Sequence, residues 1–122
     1  MKVDVANVLR RRHREQEALL DRARRLSSSL PAELGVRAVV VFGSVARGDF
    51  NKWSDVDVLV VADGVTGGPI ERHRSLGSVP GRVQPVVWTP AEFRQRLRSG
   101  DPIAREAESV GVWLHGSIEA LG

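Results

Sequence analysis

The sequence predicts a small α/β domain in which helices surround a short β-sheet. Two β-branched apolar runs, VRAVVVF at residues 36–42 and DVDVLVVA at residues 55–62, have the composition of strands buried on both faces. Apolar residues within the first thirty positions recur at steps of three and four, which is typical of an amphipathic helix. The length of 122 residues favours one domain with a small hydrophobic core.

The first predicted element is a helix over residues 4–29. The stretch SSSLP ends it, because serines weaken a helix and the residue before Pro31 is disfavoured in the helical conformation. Residues 1–30 hold eight basic and four acidic side chains, whereas the rest of the chain holds 10 basic and 11 acidic ones. This surplus fits either a solvated helix face or a surface for nucleic acid or an acidic partner. We therefore divide the chain into an N-terminal basic amphipathic helix, residues 1–30, and a body, residues 31–122.

Short helices and strands are predicted to alternate in the body. VARGD, after the first apolar run, is expected to form a short helix, and a loop leads from it to the second run. A short helix over residues 70–78 and a third strand over residues 81–88 come next. Pro85 in that strand indicates a sheet edge or a local irregularity, since proline cannot donate to a ladder.

Two further helices and a last strand are predicted near the C-terminus. Thr89 is an N-cap followed by proline, with Glu92 three residues after the cap, and Gly100 ends this helix. Asp101 followed by proline repeats the same start signal. VWLHG closes the sheet as a short strand, and we expect the last residues to fray.

Composition excludes several classes of protein. The absence of cysteine excludes a disulfide framework and thiolate metal sites. No apolar run approaches the ~20 residues that cross a bilayer, and the start MKVDVANVLRRRHREQ is not a secretory signal, so we expect a cytoplasmic protein without a membrane partner. The three histidines lack metal-ligand spacing, and Trp53, Trp88 and Trp113 are expected to be packing groups.

The candidate site lies in VVVFGSVARGDFNKWSDVDVLVV, residues 39–61. Gly43 after a strand allows close backbone approach, and Ser44 adds a hydroxyl donor, which together suit an anion such as a phosphate. Asp55 and Asp57 are two residues apart on a strand, so their carboxylates point to the same face. A cation between them would relieve their repulsion, and oxygen ligands without His or Cys suit Mg²⁺ or Mn²⁺. A simple turn and a pair of solvated aspartates are the alternative readings, and the combination of both features favours the phosphate and metal site.

The stretch FGSVARGDFNKWSDVDVLV resembles the signature of the DNA polymerase β-like nucleotidyltransferase superfamily. That signature is a hydrophobic residue followed by Gly-Ser, a spacer, and then Asp-hydrophobic-Asp-hydrophobic. Ala46-Arg47-Gly48, Ser54-Asp55 and the tail TPAEFRQRLRSGDPIAREAESVGVWLHG are similar to its minimal nucleotidyltransferase branch. The resemblance implies that residues 31–122 form a nucleotidyltransferase domain with a small mixed sheet flanked by helices.

The resemblance also implies an activity and its residues. A nucleoside monophosphate would be transferred from a nucleoside triphosphate to an acceptor hydroxyl, and AMP from ATP is the expected case. Asp55 and Asp57 would be catalytic and would ligate Mg²⁺ or Mn²⁺. The nucleotide-binding residues would be Gly43, Ser44, Arg47 and Ser54, although Arg47 could equally be a surface arginine.

The chain departs from the family pattern on its predicted third strand. Active members usually carry a third carboxylate there, but RVQPVVW contains no acidic residue. Gln84 is the nearest candidate for the position of the third ligand. An amide oxygen can bind Mg²⁺, but it adds no negative charge and cannot act as a base, so nucleotide and metal binding should survive better than transfer.

These features leave two main functions open. The first is a metal-dependent nucleotidyltransferase that modifies a macromolecule, as the antitoxin of a HEPN-type toxin. The second is a nucleotide-binding or partner-binding module with weakened catalysis, which could dock through the helix of residues 4–29. A nucleic-acid or small-molecule acceptor is not favoured, because no aromatic residues interleave with Arg10, Arg11 and Arg12 and no second domain shapes an acceptor pocket. Association with a second copy of the chain is left open.

Overall fold

The structure is a computed structural model that describes residues 4–121. Every predicted helix and strand is confirmed, with ends within three residues of those expected. The elements in chain order are α1 (Val5–Ser29), β1 (Val36–Phe42), α2 (Gly43–Arg47), β2 (Val56–Ala62), α3 (Pro69–Ser75), β3 (Val83–Trp88), α4 (Pro90–Ser99), α5 (Pro102–Ser109) and β4 (Val112–His115).

Three helices, α1, α4 and α5, begin at a residue whose side chain caps the first turn. The Asp4 side chain accepts a hydrogen bond from the Asn7 N–H at the start of α1. Thr89 and Glu92 form the predicted capping box of α4, with the Glu92 N–H donating to Thr89 and the Thr89 N–H donating to Glu92. Asp101 accepts from two backbone N–H groups at the start of α5. Each cap satisfies donors that the first turn of a helix leaves without partners.

The four strands form one mixed sheet in the order β3-β2-β1-β4. β1 runs antiparallel to both β2 and β4, whereas β2 and β3 are parallel. β3 therefore lies at an edge, as Pro85 indicated. The predicted fold class, a small mixed sheet flanked by helices with an amphipathic helix at the N-terminus, is confirmed.

Helices cover both faces of the sheet, which gives two layers of core. On one face, Leu19, Leu20, Ala23 and Leu26 of α1 are buried against alternate residues of the strands. The opposite face packs against α4 and α5, with Phe93 at its centre. The buried half of α1 thus shares a core with the sheet, and the division of the chain at residue 30 stays a prediction.

α1 also holds the loop that precedes the candidate site. Its Arg12 guanidinium donates to the carbonyl oxygens of Gly48 (2.8 Å) and Phe50 (2.9 Å). Gln16 donates to the carbonyl oxygen of Val45 at 2.7 Å. Since these carbonyls belong to α2 and the loop after it, α1 fixes the backbone between β1 and β2.

Two expectations are wrong. Trp53 is not a packing group, because it lies in a turn with 79% of its surface exposed. Trp88 and Trp113 are confirmed as packing groups, with ring centroids 6.4 Å and 6.5 Å from that of Phe93. Residues 119–121 do not fray but form a 3₁₀ turn. Leu121 is 2% exposed and its carbonyl accepts a hydrogen bond from Arg94, so burial and pairing hold this segment in place.

Within residues 4–121, the helices are all too short or too polar to cross a bilayer.

Candidate functional site

The turn after β1 lies directly beside the start of β2. The antiparallel register pairs Phe42 with Asp57, so Gly43 follows immediately next to the Asp57 side chain. Gly43 has a φ of +78°, a conformation that L side chains rarely adopt. A Cβ at Gly43 would overlap Asp57 Oδ2 and lie 3.1 Å from Asp57 Cγ. Two constraints therefore require glycine at position 43: the left-handed backbone conformation and the close contact with the Asp57 carboxylate.

The two aspartates differ in their surroundings. Asp55 is exposed just before β2, whereas Asp57 is half-buried on the strand. Burial is the main cause that raises the pKa of Asp57, and the negative charges of Asp55 and Glu106 raise it further, while Arg47 opposes them. The site thus concentrates negative charge that costs free energy when it is ionised. A bound cation would remove that cost.

Glu106 on α5 belongs to this site, although nothing in its local sequence indicated it. Its Oε1 accepts hydrogen bonds from the Gly43 N–H at 2.6 Å and from Arg47 Nη1 at 2.6 Å. Arg47 also donates through Nε to Asp49 Oδ2 at 3.2 Å. Two donors that were expected to meet a phosphate therefore converge on one carboxylate oxygen. The sequence of α5 predicted only its start at Asp101, and the contact with Gly43 spans 63 positions of the chain.

The predicted serines lie in α2 and in the loop directly before Asp55. Ser44 is half-buried in α2, and its carbonyl accepts a hydrogen bond from the Gly48 N–H. Ser54 closes the turn before Asp55, where its Oγ accepts from the Asn51 N–H at 2.9 Å. The carbonyl of Ser54 accepts a further hydrogen bond from Arg82. The Ser54 side chain therefore orders the loop that presents Asp55, and the nucleotide-binding roles of both serines stay predictions.

Gln84 lies next to Asp57 across the parallel pair. The register of β2 and β3 joins these two residues, so their side chains project from the same face of the sheet, and Gln84 is exposed. In the part of the chain that the structure describes, no three or more His, Cys, Asp or Glu side chains are grouped so as to hold a metal. Asp55 and Asp57 nevertheless fit an oxygen-liganded divalent cation, provided that a bound ligand and water complete its shell.

Comparisons with known proteins identify the family and the fold of the chain. The sequence model of a family described as nucleotidyltransferase domain matches residues 17–98, from the middle of α1 to the end of α4. No curated protein matches the sequence at a significant level.

Two solved structures are similar to this one. A crystal structure of a candidate nucleotidyltransferase from Sulfolobus solfataricus has 24% sequence identity and a TM-score of 0.54, over 92% of this chain and 87% of that one. A crystal structure of a toxin-antitoxin with AMP-PNP has 22% identity and a TM-score of 0.50, over 83% of this chain and 76% of that one. At these identities the likeness establishes a shared fold.

Proposed function

The chain belongs to the nucleotidyltransferase domain family, and from this premise we propose that it binds a nucleoside triphosphate at the edge formed by Gly43 and Asp57. We propose further that it transfers the nucleoside monophosphate, AMP from ATP in the first instance, to a hydroxyl of a partner protein. The observation that carries this proposal is the convergence of the Gly43 N–H and the Arg47 guanidinium on one anionic oxygen beside Asp57.

The proposed roles follow from the chemistry of each group. A phosphate oxygen is an anionic acceptor like the Glu106 carboxylate, so the Gly43 N–H and Arg47 can donate to it with charge-assisted hydrogen bonds. Asp55 and Asp57 would hold Mg²⁺ or Mn²⁺, which supplies neutralisation of the triphosphate charge when it is bound. The raised pKa of Asp57 supports this role, because its carboxylate gains from a neighbouring cation.

The proposed transfer is a displacement at the α-phosphorus. The acceptor hydroxyl oxygen forms a bond to that phosphorus, and the bond to the bridging oxygen breaks, so that pyrophosphate leaves with the electron pair. The hydroxyl proton is released to water, since the side chain next to Asp57 on β3 is the amide of Gln84, which cannot accept it as a base. We therefore expect slow transfer compared with tight nucleotide binding.

The proposed acceptor is the toxin of a toxin-antitoxin pair. The likeness to a toxin-antitoxin structure with AMP-PNP supports an antitoxin role and ATP as the nucleotide. The HEPN type of toxin rests on the resemblance of the signature to minimal nucleotidyltransferases. A location in the cytoplasm, where ATP is available, is part of the same proposal.

The first test is isothermal titration of ATP into the protein with and without Mg²⁺. We expect Mg²⁺-dependent binding that is lost in the double variant Asp55→Asn/Asp57→Asn. The matched control is Glu33→Gln/Asp63→Asn, which removes two exposed carboxylates, one from the turn before β1 and one directly after the far end of β2. If ATP, GTP, CTP and UTP all fail to bind at millimolar concentration, or if the control variant loses binding equally, the proposed site is wrong.

A binding module without transfer is the second candidate. The pairing of Asp57 with Gln84 rather than with a carboxylate favours it. Incubation with ATP labelled at the α-phosphate and a purified HEPN-type toxin separates the two functions. Label on the toxin that disappears with Asp57→Asn supports transfer. Neutralisation of the toxin by Asp57→Asn as effectively as by the unchanged protein supports binding alone.

A further inference from the structure

A groove of about 400 Å³ lies between α1 and the loop that leads to the candidate site. Four basic side chains line it, two from one turn of α1 and two from the other wall. We call it the basic groove and define it by Arg22, Arg25, Lys52 and Arg82 around a floor that includes Leu19 and Phe50.

Within residues 4–121, the four cations of the basic groove have no salt-bridge partner. Among the described residues, none of them forms a salt bridge, whereas Arg24 on the same helix pairs with both Glu17 and Asp21. Glu15, the acidic residue of the lining, pairs with Arg12 at 3.6 Å. The described residues that line the groove therefore carry an excess of positive charge, with four cations and one carboxylate.

Two of these guanidinium groups are nevertheless held in place. Arg22 Nη1 donates to the carbonyl oxygen of Gly81 at 3.1 Å, and Arg82 donates to the carbonyl oxygen of Ser54. A guanidinium has five N–H donors, so each retains donors for a ligand. Ordered arginine forks suit carboxylates, which they bind through two parallel hydrogen bonds. A concave surface lined by one sign of charge also focuses the field and attracts an oppositely charged partner.

We propose that the basic groove docks an acidic, partly apolar segment of a partner protein. The floor of Leu19 and Phe50 suits an apolar side chain among the carboxylates. Among the described residues that line the groove, the aromatic side chain is Phe50, which offers no free face for a base to stack on because it is 5% exposed and Arg12 covers its ring at 3.8 Å from the centroid. The exposed Trp53 ring lies outside this lining, and the Lys52 ammonium group lies 5.1 Å from its centroid. A volume of about 400 Å³ holds a few side chains, which fits a short peptide segment.

The position of the groove connects it to the candidate site without depending on catalysis. Lys52 is three residues before Asp55, and Arg82 contacts the carbonyl of Ser54, the residue before Asp55. A segment docked in the groove would therefore bring its protein next to the acidic pair. The docking itself would occur whether or not nucleotide is transferred.

The experiment uses a labelled peptide that repeats Glu-Glu-Leu four times, with a Gln-Gln-Leu peptide of the same length as its neutral control. Binding is measured by fluorescence anisotropy at low salt, and the site is located by amide chemical shifts of the ¹⁵N-labelled protein. The test variant is Arg25→Gln/Lys52→Gln, since neither side chain makes a hydrogen bond among the described residues. The matched control is Arg74→Gln/Arg98→Gln, which removes two exposed cations from α3 and α4.

We expect the acidic peptide to bind about five- to tenfold more weakly to the groove variant, since two solvent-screened ion pairs are lost. The control variant should bind within twofold of the unchanged protein, and shift changes should surround Leu19, Arg22 and Lys52. Equal loss in both variants, or no binding of the acidic peptide, overturns the proposal. A second result also overturns the proposal. If a twelve-nucleotide oligouridine binds more tightly than the peptide and its binding depends on Arg25 and Lys52, the groove is an RNA-binding site.

Discussion

Glu106 is predicted to compete with a bound nucleotide for the donors of the candidate site. One oxygen of its carboxylate, Oε1, accepts hydrogen bonds from both the Gly43 N–H and Arg47, the two groups proposed to hold a phosphate. A triphosphate would have to displace this carboxylate and would also be repelled by it. The variant Glu106→Gln keeps the shape of the side chain and removes the charge, so we expect it to bind Mg²⁺-ATP more tightly.

The size of this effect follows from the exposure of the pair. A hydrogen bond to a charged group contributes about 1.5–3 kcal/mol, and exposed ion pairs contribute about 0.2–1 kcal/mol. Because the Arg47 side chain is exposed, solvent screens its ion pair with Glu106, and the estimate rests on the hydrogen bond from the Gly43 N–H. The glutamine oxygen still accepts a neutral hydrogen bond, so we take a net change of about 1 kcal/mol, which corresponds to about a fivefold lower Kd.

The assay is the titration of ATP at constant Mg²⁺ concentration, with Glu108→Gln as the matched control. Glu108 is exposed on the same helix, so its variant changes net charge equally. A second readout does not depend on nucleotide. Because the charge of Glu106 is one cause of the raised pKa of Asp57, that pKa should fall in Glu106→Gln when it is followed by NMR of the carboxyl carbon. If the pKa falls but ATP binds equally or more weakly, Glu106 supports the donors rather than competing for them, and the reasoning is refuted.

Three further predictions concern stability. Gly43→Ala should lower the Tm and weaken ATP binding, because a left-handed non-glycine residue costs about 1–2 kcal/mol and its Cβ would displace Asp57. The control is Gly48→Ala, which should lower the Tm alone, because Gly48 has a φ of +91° but open space around it. Asp57→Asn should raise the Tm at pH 7, because a raised pKa destabilises the ionised folded state. Thermal melts should show this gain shrink as pH falls through the raised pKa of Asp57 and vanish below 3.8. Glu92→Gln should lower the free energy of unfolding by about 1 kcal/mol at pH 7, because the hydrogen bond from Arg72 lowers the pKa of Glu92. Urea titrations should show this difference in stability above pH 4.5 and its loss as pH falls through the lowered pKa. A difference that stays constant with pH would contradict the prediction.

Local patterns were sufficient for the elements of this fold and for half of its candidate site. The capping box at Thr89 and Glu92, and the apolar runs of β1 and β2, each depend on residues within a few positions of one another. Strand geometry likewise assigns the Asp57 side chain to one face of β2, whatever surrounds it, whereas Asp55 lies just before the strand. Trp53 shows where such reasoning fails, because a large aromatic residue predicts burial while the turn that carries it exposes the ring.

The sequence by itself thus determined the strands, the helices, the glycine turn after β1 and the position of Asp57 near the start of β2. Only the tertiary structure decided that Glu106 reaches Gly43 and that Gln84 lies beside Asp57. It also gathered the four cations of the basic groove from α1, the loop and the start of β3. The physical reason is that these contacts depend on the order of the strands and on which face each helix covers. Burial summed over the whole core selects that arrangement, and no local spacing in the chain records it.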